Sequence, residues 1–299
     1  MRRAYYTLDV FTDRPLAGNP LAVVLDSQGL DDARMQKIAR EFNLAETVFV
    51  SDPRDATNTA ALRIFTPARE LPFAGHPTVG TAILLAHLRA KELLKTQDLR
   101  VVLEEKVGAI VCIARHRPGA AMAAYFHLPR LPERLGDAPG ITELAGDLGI
   151  AHEDIGFDAH QPALMGAGTP NLFVPVKSRE VVARLKPDRK HWGENGGPCL
   201  YVYARGGADP GSHFHARMFA AGWGVYEDPA TGSAAAAFAG VLMAFEPPGE
   251  GEHMYVIEQG YEMGRPSQIS LALNIENGRL ADATIGGSAR IVCQGFIEI

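Results

Sequence analysis

Cysteine is scarce in this chain: Cys112, Cys199 and Cys293 among 299 residues. An odd number at wide spacing, in apolar contexts, argues against disulfides and against a metal cluster, so buried free thiols in a reducing compartment are expected. Basic charge is also in deficit, with 29 Lys and Arg against 35 Asp and Glu and a net charge of −6. That balance argues against a nucleic-acid partner, because neutralising phosphates needs a basic surface. Long apolar runs are missing too. Ala234–Phe245 is twelve residues without a charged or strongly polar side chain, well short of the ~20 that span a bilayer. Arg2 and Arg3 lead into a mixed strand pattern and not into the apolar core of a signal peptide. No membrane is expected, and the cytoplasm is the expected location.

Two familiar catalytic signatures are absent as well. Gly166-Ala-Gly168 lacks the third glycine and the following helix of a dinucleotide loop. Thr231-Gly232-Ser233-Ala234 is not the Gly-x-Ser-x-Gly elbow of a hydrolase. His213 and His215 share a strand face, but without an evident Cys or acidic partner they read as structural or surface residues, and no metal site is expected. Glu104-Glu105-Lys106 reads as a solvated turn.

What is present is a long internal repeat. Glu70-Leu-Pro-Phe-Ala-Gly75-His76 is echoed by Glu227-Asp228-Pro-Ala-Thr-Gly232-Ser233, with the prolines and the glycines each 157 positions apart. Gly18-Asn-Pro20 parallels Gly168-Thr-Pro170 at an offset of 150, and Arg63-Ile-Phe65 parallels Arg217-Met-Phe219 at 154. Three segments in one order indicate a duplicated domain, in keeping with a length suited to two cores. The expected division is 1–118, with the last strand (about 290–299) crossing back to it, and 119–289.

Periodicity and turn residues place strands at Ala4–Phe11, Leu21–Asp26, Thr47–Ser51 and Ala61–Thr66, and a hairpin at Leu99–Arg115 turning near Gly108. Helices are expected from Asp31 or Asp32 to Phe42, over His76–Ala90 and near Ile141–Leu148. The second half repeats the order: strand Asn171–Val176, helix Arg179–His191, strands Leu200–Ala204 and His213–Ala220, then helix Gly232–Phe245. A helix apolar all round is buried all round. Each domain is therefore read as a curled sheet about one central helix, whose N-terminus opens at the seam.

Four polar residues could carry chemistry. Glu46, between apolar flanks, is either a solvated loop carboxylate or a buried acid with a pKa raised into the range of proton transfer. Asp228 is either a cap or a substrate anchor. His76 and Ser233, each just after a glycine, read as caps or as paired groups reaching one ligand. The helix starts at Gly75 and Gly232 offer N–H donors to a small anion.

The runs Asp9-Val-Phe-Thr-Asp-Arg-Pro-Leu-Ala-Gly18-Asn-Pro, Asn43-Leu-Ala-Glu46-Thr-Val-Phe, Leu71-Pro-Phe-Ala-Gly75-His76-Pro-Thr, Glu227-Asp228-Pro-Ala-Thr-Gly232-Ser233-Ala and Glu258-Gln-Gly-Tyr-Glu-Met-Gly264-Arg-Pro-Ser resemble the PhzF-type phenazine-biosynthesis isomerases. The resemblance spans about residues 4–298. It implies an α+β, diaminopimelate-epimerase-like fold of two pseudo-symmetric domains, each a mostly antiparallel sheet around a helix. It also implies a homodimer with neither metal nor organic cofactor, acting on a small anionic substrate in the interdomain cleft. The catalytic Glu, His, Asp and Ser of that family fall on Glu46, His76, Asp228 and Ser233, and its glycines on Gly75 and Gly232. Epimerases of the fold carry a Cys at each helix start. Here those places hold His76 and Ser233, which favours a hydrogen shift with Glu46 as acid/base. An amino- or hydroxy-acid epimerase and a non-catalytic binding protein are the alternatives, and following label uptake in D₂O separates them.

Overall fold

The computed structural model describes residues 2–187, 192–194 and 197–299, except for the side chain of Trp223. The chain divides into two compact units, residues 1–129 with 286–299, and residues 130–285.

In unit 1, β1 (Arg2–Val10) pairs antiparallel with β2 (Asn19–Val24), which runs parallel to β3 (Glu46–Ser51). Antiparallel β4 (Ala60–Phe65) follows, with the two-residue β5 (Glu70–Leu71) on it. Then come β6 (Leu99–Glu105), parallel to β4, and antiparallel β7 (Gly108–Arg115) and β8 (Met122–His127). The returning segment from residue 286 onward pairs with both β8 and β1. The strands thereby close around α2 (Gly75–Leu94), whose residues 75–86 are all buried. Gly80 lets this helix sit close, because a Cβ there would lie 2.7 Å from Leu21 Cδ2 and 2.8 Å from Val10 Cγ2. The backbone leaves helical geometry at Ala90 (φ −147°), the residue where the sequence ends the helix. The outer helix α1 (Asp32–Phe42) starts at the Asp31 cap, which accepts from Arg34 N at 2.7 Å. Its Met35, Ile38 and Ala39 pack on Val24, Phe49 and Phe65.

Unit 2 repeats this order. Antiparallel β9 (Glu133–Gly136) and β10 (Ala163–Gly166) lead to β11 (Pro170–Pro175), which is parallel to β12 (Cys199–Arg205). Next are antiparallel β13 (Phe214–Ala220) and β14 (Val225–Asp228), then β15 (Gly251–Gln259), parallel to β13, and antiparallel β16 (Ser267–Glu276). The long β17 (Arg279–Glu298) begins in this unit. The helix α5 (Gly232–Phe245) packs against β9, β10, β11 and β16 and is buried along nearly its whole length to Leu242. Outer helices α3 (Ile141–Leu148) and α4 (Arg179–Arg184) cover a core of Leu144, Val174, Val182 and Phe219. A parallel, antiparallel, parallel, antiparallel alternation, β2–β3–β4–β6–β7 and β11–β12–β13–β15–β16, is thus common to both units.

Several expectations need correction. Unit 1 continues past residue 118, because β8 at 122–127 pairs with β7, and the returning segment starts at 286, before the expected 290. Helix α4 stops at Arg184, since Lys186 precedes Pro187 and is steered away from helical geometry. The rest of the expected helix to His191 lies partly outside the described residues. Cys112 and Cys199 are buried free thiols, whereas Cys293 is exposed. Among the described residues no helix is long and apolar enough to cross a membrane.

Candidate active site

Glu46 owes its position to a short connection. Helix α1 ends at Asn43 in the left-handed conformation (φ 51°, ψ 32°), two residues intervene, and β3 begins at Glu46 opposite Leu21. The register also identifies its counterpart in the other repeat. Leu21 faces Glu46 as Asn171 faces Cys199, so the place of the acid in unit 2 holds a buried cysteine. The acid is present once.

His76 is the second residue of α2, after Ala74 at the N-cap, and is not itself a cap. Pro77 is tolerated because the first helical turn needs no N–H from it. Thr78 N closes the turn on Ala74 O at 3.2 Å. Phe73 anchors the approach by packing edge-on against Phe126. His76 Nε2 lies 3.2 Å from Glu46 Oε2, with the two side chains 5% and 17% exposed. The distance is that of an ion pair, but the alignment is not that of a hydrogen bond. Burial lowers the His76 pKa to about 3, so its imidazole is neutral at ordinary pH. The positive end of the helix dipole disfavours imidazolium as well.

In unit 2, Asp228 ends β14 and Ser233 is the second residue of α5, one place after Gly232. Neither caps the helix; Thr231 is its N-cap residue and makes no side-chain cap. The Thr231 hydroxyl donates to Asp228 Oδ2. Gln259, fully buried at the end of β15, ties the turn together. Its Nε2 donates to Asp228 O at 2.6 Å and to Thr231 Oγ1 at 2.9 Å, while its Oε1 accepts from Thr231 N at 3.2 Å. Gly260 (φ +79°) lets β15 end there, since a Cβ would stand 2.6 Å from Pro229 O. Burial and the Asp228 charge push the Tyr201 phenol up.

Each helix start leaves its first N–H groups without intrahelical partners. In α2 these include Gly75 and His76, and in α5 Gly232 and Ser233. Behind each start an arginine grips a glutamate fork to fork. Arg63 Nε and Nη2 reach Glu70 at 2.8 Å each, and Arg217 Nε and Nη2 reach Glu227 at 2.7 and 2.9 Å. The third nitrogen ties the strand to the outer helix, at Asp32 in unit 1 and at the Val182 and Leu185 carbonyls in unit 2.

Among the described residues no group of His, Cys, Asp and Glu could hold a metal. His215 does have acidic partners, contrary to expectation: Glu258 Oε2 lies 3.1 Å from Nδ1 and Glu262 Oε1 2.9 Å from Nε2. Burial alone would lower its pKa, but the two carboxylates raise it. The Glu104-Glu105 pair is not a solvated turn either. Glu104 accepts from Arg54 N and Asp55 N at 2.9 Å each and from Asn58, and Glu105 is buried. The signal for Glu105 was in the strand pattern, since Val101, Leu103 and Glu105 alternate on the inward face.

With fold and site in view, comparison with known proteins gives the family. The Phenazine biosynthesis-like protein family matches residues 8–295, and the chain belongs to it. It is 47% identical, over 99% of both chains, to an uncharacterized isomerase of Mesorhizobium japonicum. It is 38% identical, again over 99% of both, to a trans-2,3-dihydro-3-hydroxyanthranilate isomerase of Pseudomonas fluorescens. A Bacillus anthracis phenazine biosynthesis protein of the PhzF family superposes with a TM-score of 0.88 at 26% identity, over 100% of both chains. A hydroxyproline epimerase from Agrobacterium vitis shares the fold, with a TM-score of 0.61 at 13% identity over 99% of this chain and 92% of that one. The architecture is the diaminopimelate-epimerase-like α+β fold, and the chain is an enzyme of an isomerase family.

Proposed function

We propose that the protein catalyses a hydrogen shift on a small, carboxylated, unsaturated metabolite, trans-2,3-dihydro-3-hydroxyanthranilate or a close relative, with Glu46 as the single acid/base. The observation that carries this reading is Glu46 Oε2 beside the neutral imidazole of His76, at 3.2 Å, with no acid at the equivalent place in unit 2. Two opposed bases suit inversion of one centre, whereas one base suits taking a proton from one carbon and returning it to another.

In this mechanism the Glu46 carboxylate removes a proton α to an activating group. The electron pair delocalises through the conjugated system, and protonated Glu46 delivers the proton further along it. The carboxylate is regenerated, no electrons leave the substrate, and no cofactor is called for. Neutral His76 orients or relays that proton. Asp228, held by Thr231 and Gln259, binds an amino or hydroxyl group, assisted by Ser233. The N–H groups at Gly75 and Gly232 receive the substrate's anionic group, each helix end contributing ~0.3–1 kcal/mol when exposed and up to ~2 when partly buried. We further propose a cytoplasmic homodimer, the location supported by the free thiols.

The test is incubation of trans-2,3-dihydro-3-hydroxyanthranilate with the enzyme in D₂O, followed by NMR. A migrating double bond is expected. Label with inversion at an unmoved centre would mean epimerase, and saturable binding without exchange would mean a binding protein.

A further inference from the structure

Glu105 closes β6 with its side chain turned inward, 8% exposed. Its Oε1 lies 2.7 Å from Thr78 Oγ1, and the same Oγ1 lies 2.8 Å from the carbonyl oxygen of Ala74, the N-cap of α2. A hydroxyl has one proton to give. The Ala74 carbonyl can only accept. If Thr78 donates to it, the contact with Glu105 needs a proton from Glu105, which a carboxylate lacks. If Thr78 instead donates to an ionised Glu105, the Ala74 contact goes unmade while the buried Oε2 of Glu105 has no hydrogen-bond partner. One arrangement satisfies both contacts: Glu105 O–H to Thr78 Oγ1, and Thr78 O–H to Ala74 O.

The repeat provides an independent observation. Ala60 faces Leu103 as Phe214 faces Ile257, and both steps are 154 positions. Glu104 accepts from Arg54 N and Asp55 N, and Glu258 from Ala208 N and Asp209 N, again 154 apart. On the same offset, Glu105 corresponds to Gln259. The amide Nε2 of Gln259 donates to Thr231 Oγ1, whose own proton goes to Asp228. A neutral donor to a threonine hydroxyl thus sits beside the first turn of α5, there at the N-cap residue Thr231, and a protonated Glu105 places an analogous donor beneath α2, at Thr78 in its first turn.

We propose that Glu105 is carried as a neutral carboxylic acid donating to Thr78 Oγ1, and that it is the positioning residue for the first turn of α2, as Gln259 is for that of α5. Burial acts in the same direction, pushing the Glu105 carboxyl up to about 8 against the lowering effect of Thr78. The titratable group coupled to it is Cys112 on β7, whose thiol is pushed up by burial and by Glu105. Its chain neighbours are engaged elsewhere, Glu104 with the 54–58 turn and Lys106 with Glu70. Ionisation of Glu105 would draw the Thr78 proton off Ala74 and loosen the turn that carries Gly75 and His76. Its bearing on turnover rests on the proposed role of His76; the protonation state does not.

The test uses the full chain labelled with ¹³C at the glutamate carboxyls, with Glu105→Gln assigning the resonance. A Glu105 signal still protonated at pH 7 and titrating near pH 8 is expected. A signal ionised by pH 5 would overturn the assignment. Glu105→Gln, which restores a neutral donor, should keep kcat within about threefold and remove the Glu105 share of the wild-type loss of stability between about pH 6.5 and 8, leaving the share that comes from His215. Glu105→Ala should lower the melting temperature and kcat. A Gln variant no better than Ala would overturn the positioning role. If the carboxyl is neutral and the Gln variant rescues, yet His76 variants retain full activity, the proposed function fails and Glu105 stands.

Discussion

His76 Nε2 stands 3.2 Å from Glu46 Oε2, yet burial keeps the imidazole uncharged, so two groups at ion-pair distance share at most a single proton at ordinary pH. That is an arrangement for moving a proton. A fixed ion pair would hold it, because separating opposite charges in a poorly solvated site is costly.

Replacing Glu46 by Gln keeps the shape and removes the base. A fall in kcat of about 10²–10⁴-fold is expected, the usual worth of positioned proton transfer, with substrate affinity by calorimetry within a few fold. Turnover by this variant in D₂O at the wild-type rate would eliminate Glu46 as the base.

The acid limb of stability should report His76. Its folded pKa, about 3, lies below the ordinary 6.5. Between these values the unfolded chain binds a proton that the folded one refuses, so stability falls as pH drops through this window. Over the part near pH 4.5–6.5 the opposite slope of Glu105 offsets it, because that carboxyl stays protonated in the fold up to about 8. Urea titrations of His76→Gln should show a shallower decline between about pH 4.5 and 3, the remainder coming from carboxylates held low, such as Glu258 at about 2. An unchanged decline would mean that His76 is solvated.

The two arginine forks should differ in cost. Arg217 and Glu227 are 10% and 11% exposed, and removing Arg217 strands a buried carboxylate, for which ~3–5 kcal/mol is expected. Glu70 keeps Lys106 at 2.6 Å when Arg63 is removed, and Arg63 is 29% exposed, so Arg63→Ala should cost about half as much or less. Denaturant unfolding of both variants gives the order, and the reverse order would contradict this reading.

Gly260→Ala should disturb Asp228 through the backbone. The added Cβ would meet Arg265 O at 2.5 Å and Pro229 O at 2.6 Å, at a φ of +79°. A loss of at least ~1–3 kcal/mol is expected from the conformation, together with a fall in kcat larger than that of a surface Gly278→Ala control. Equal thermal shifts for the two variants would mean that the turn relaxes freely.

The order of elements was legible because it rests on local rules. A cap at Asp31 or Asp32, the Gly108 turn and the apolar α5 were visible in the chain itself, and the duplicated Gly-polar helix starts marked two domains. Glu105 was misread because charge and a nearby glycine suggested a turn, although its alternation with Val101 and Leu103 pointed inward. His215 was misread because Glu258 and Glu262 lie more than forty residues on.

By itself, then, the sequence determined where helices and strands begin and that one half repeats the other, since caps, turns and periodicity act over a few residues. Tertiary structure alone decided that Glu46 meets His76, that Gln259 braces Asp228, and that Glu105 lies in the interior. Those contacts join residues about thirty positions apart, and burial, which sets their protonation, is a property of the closed sheet around the helix and not of any segment.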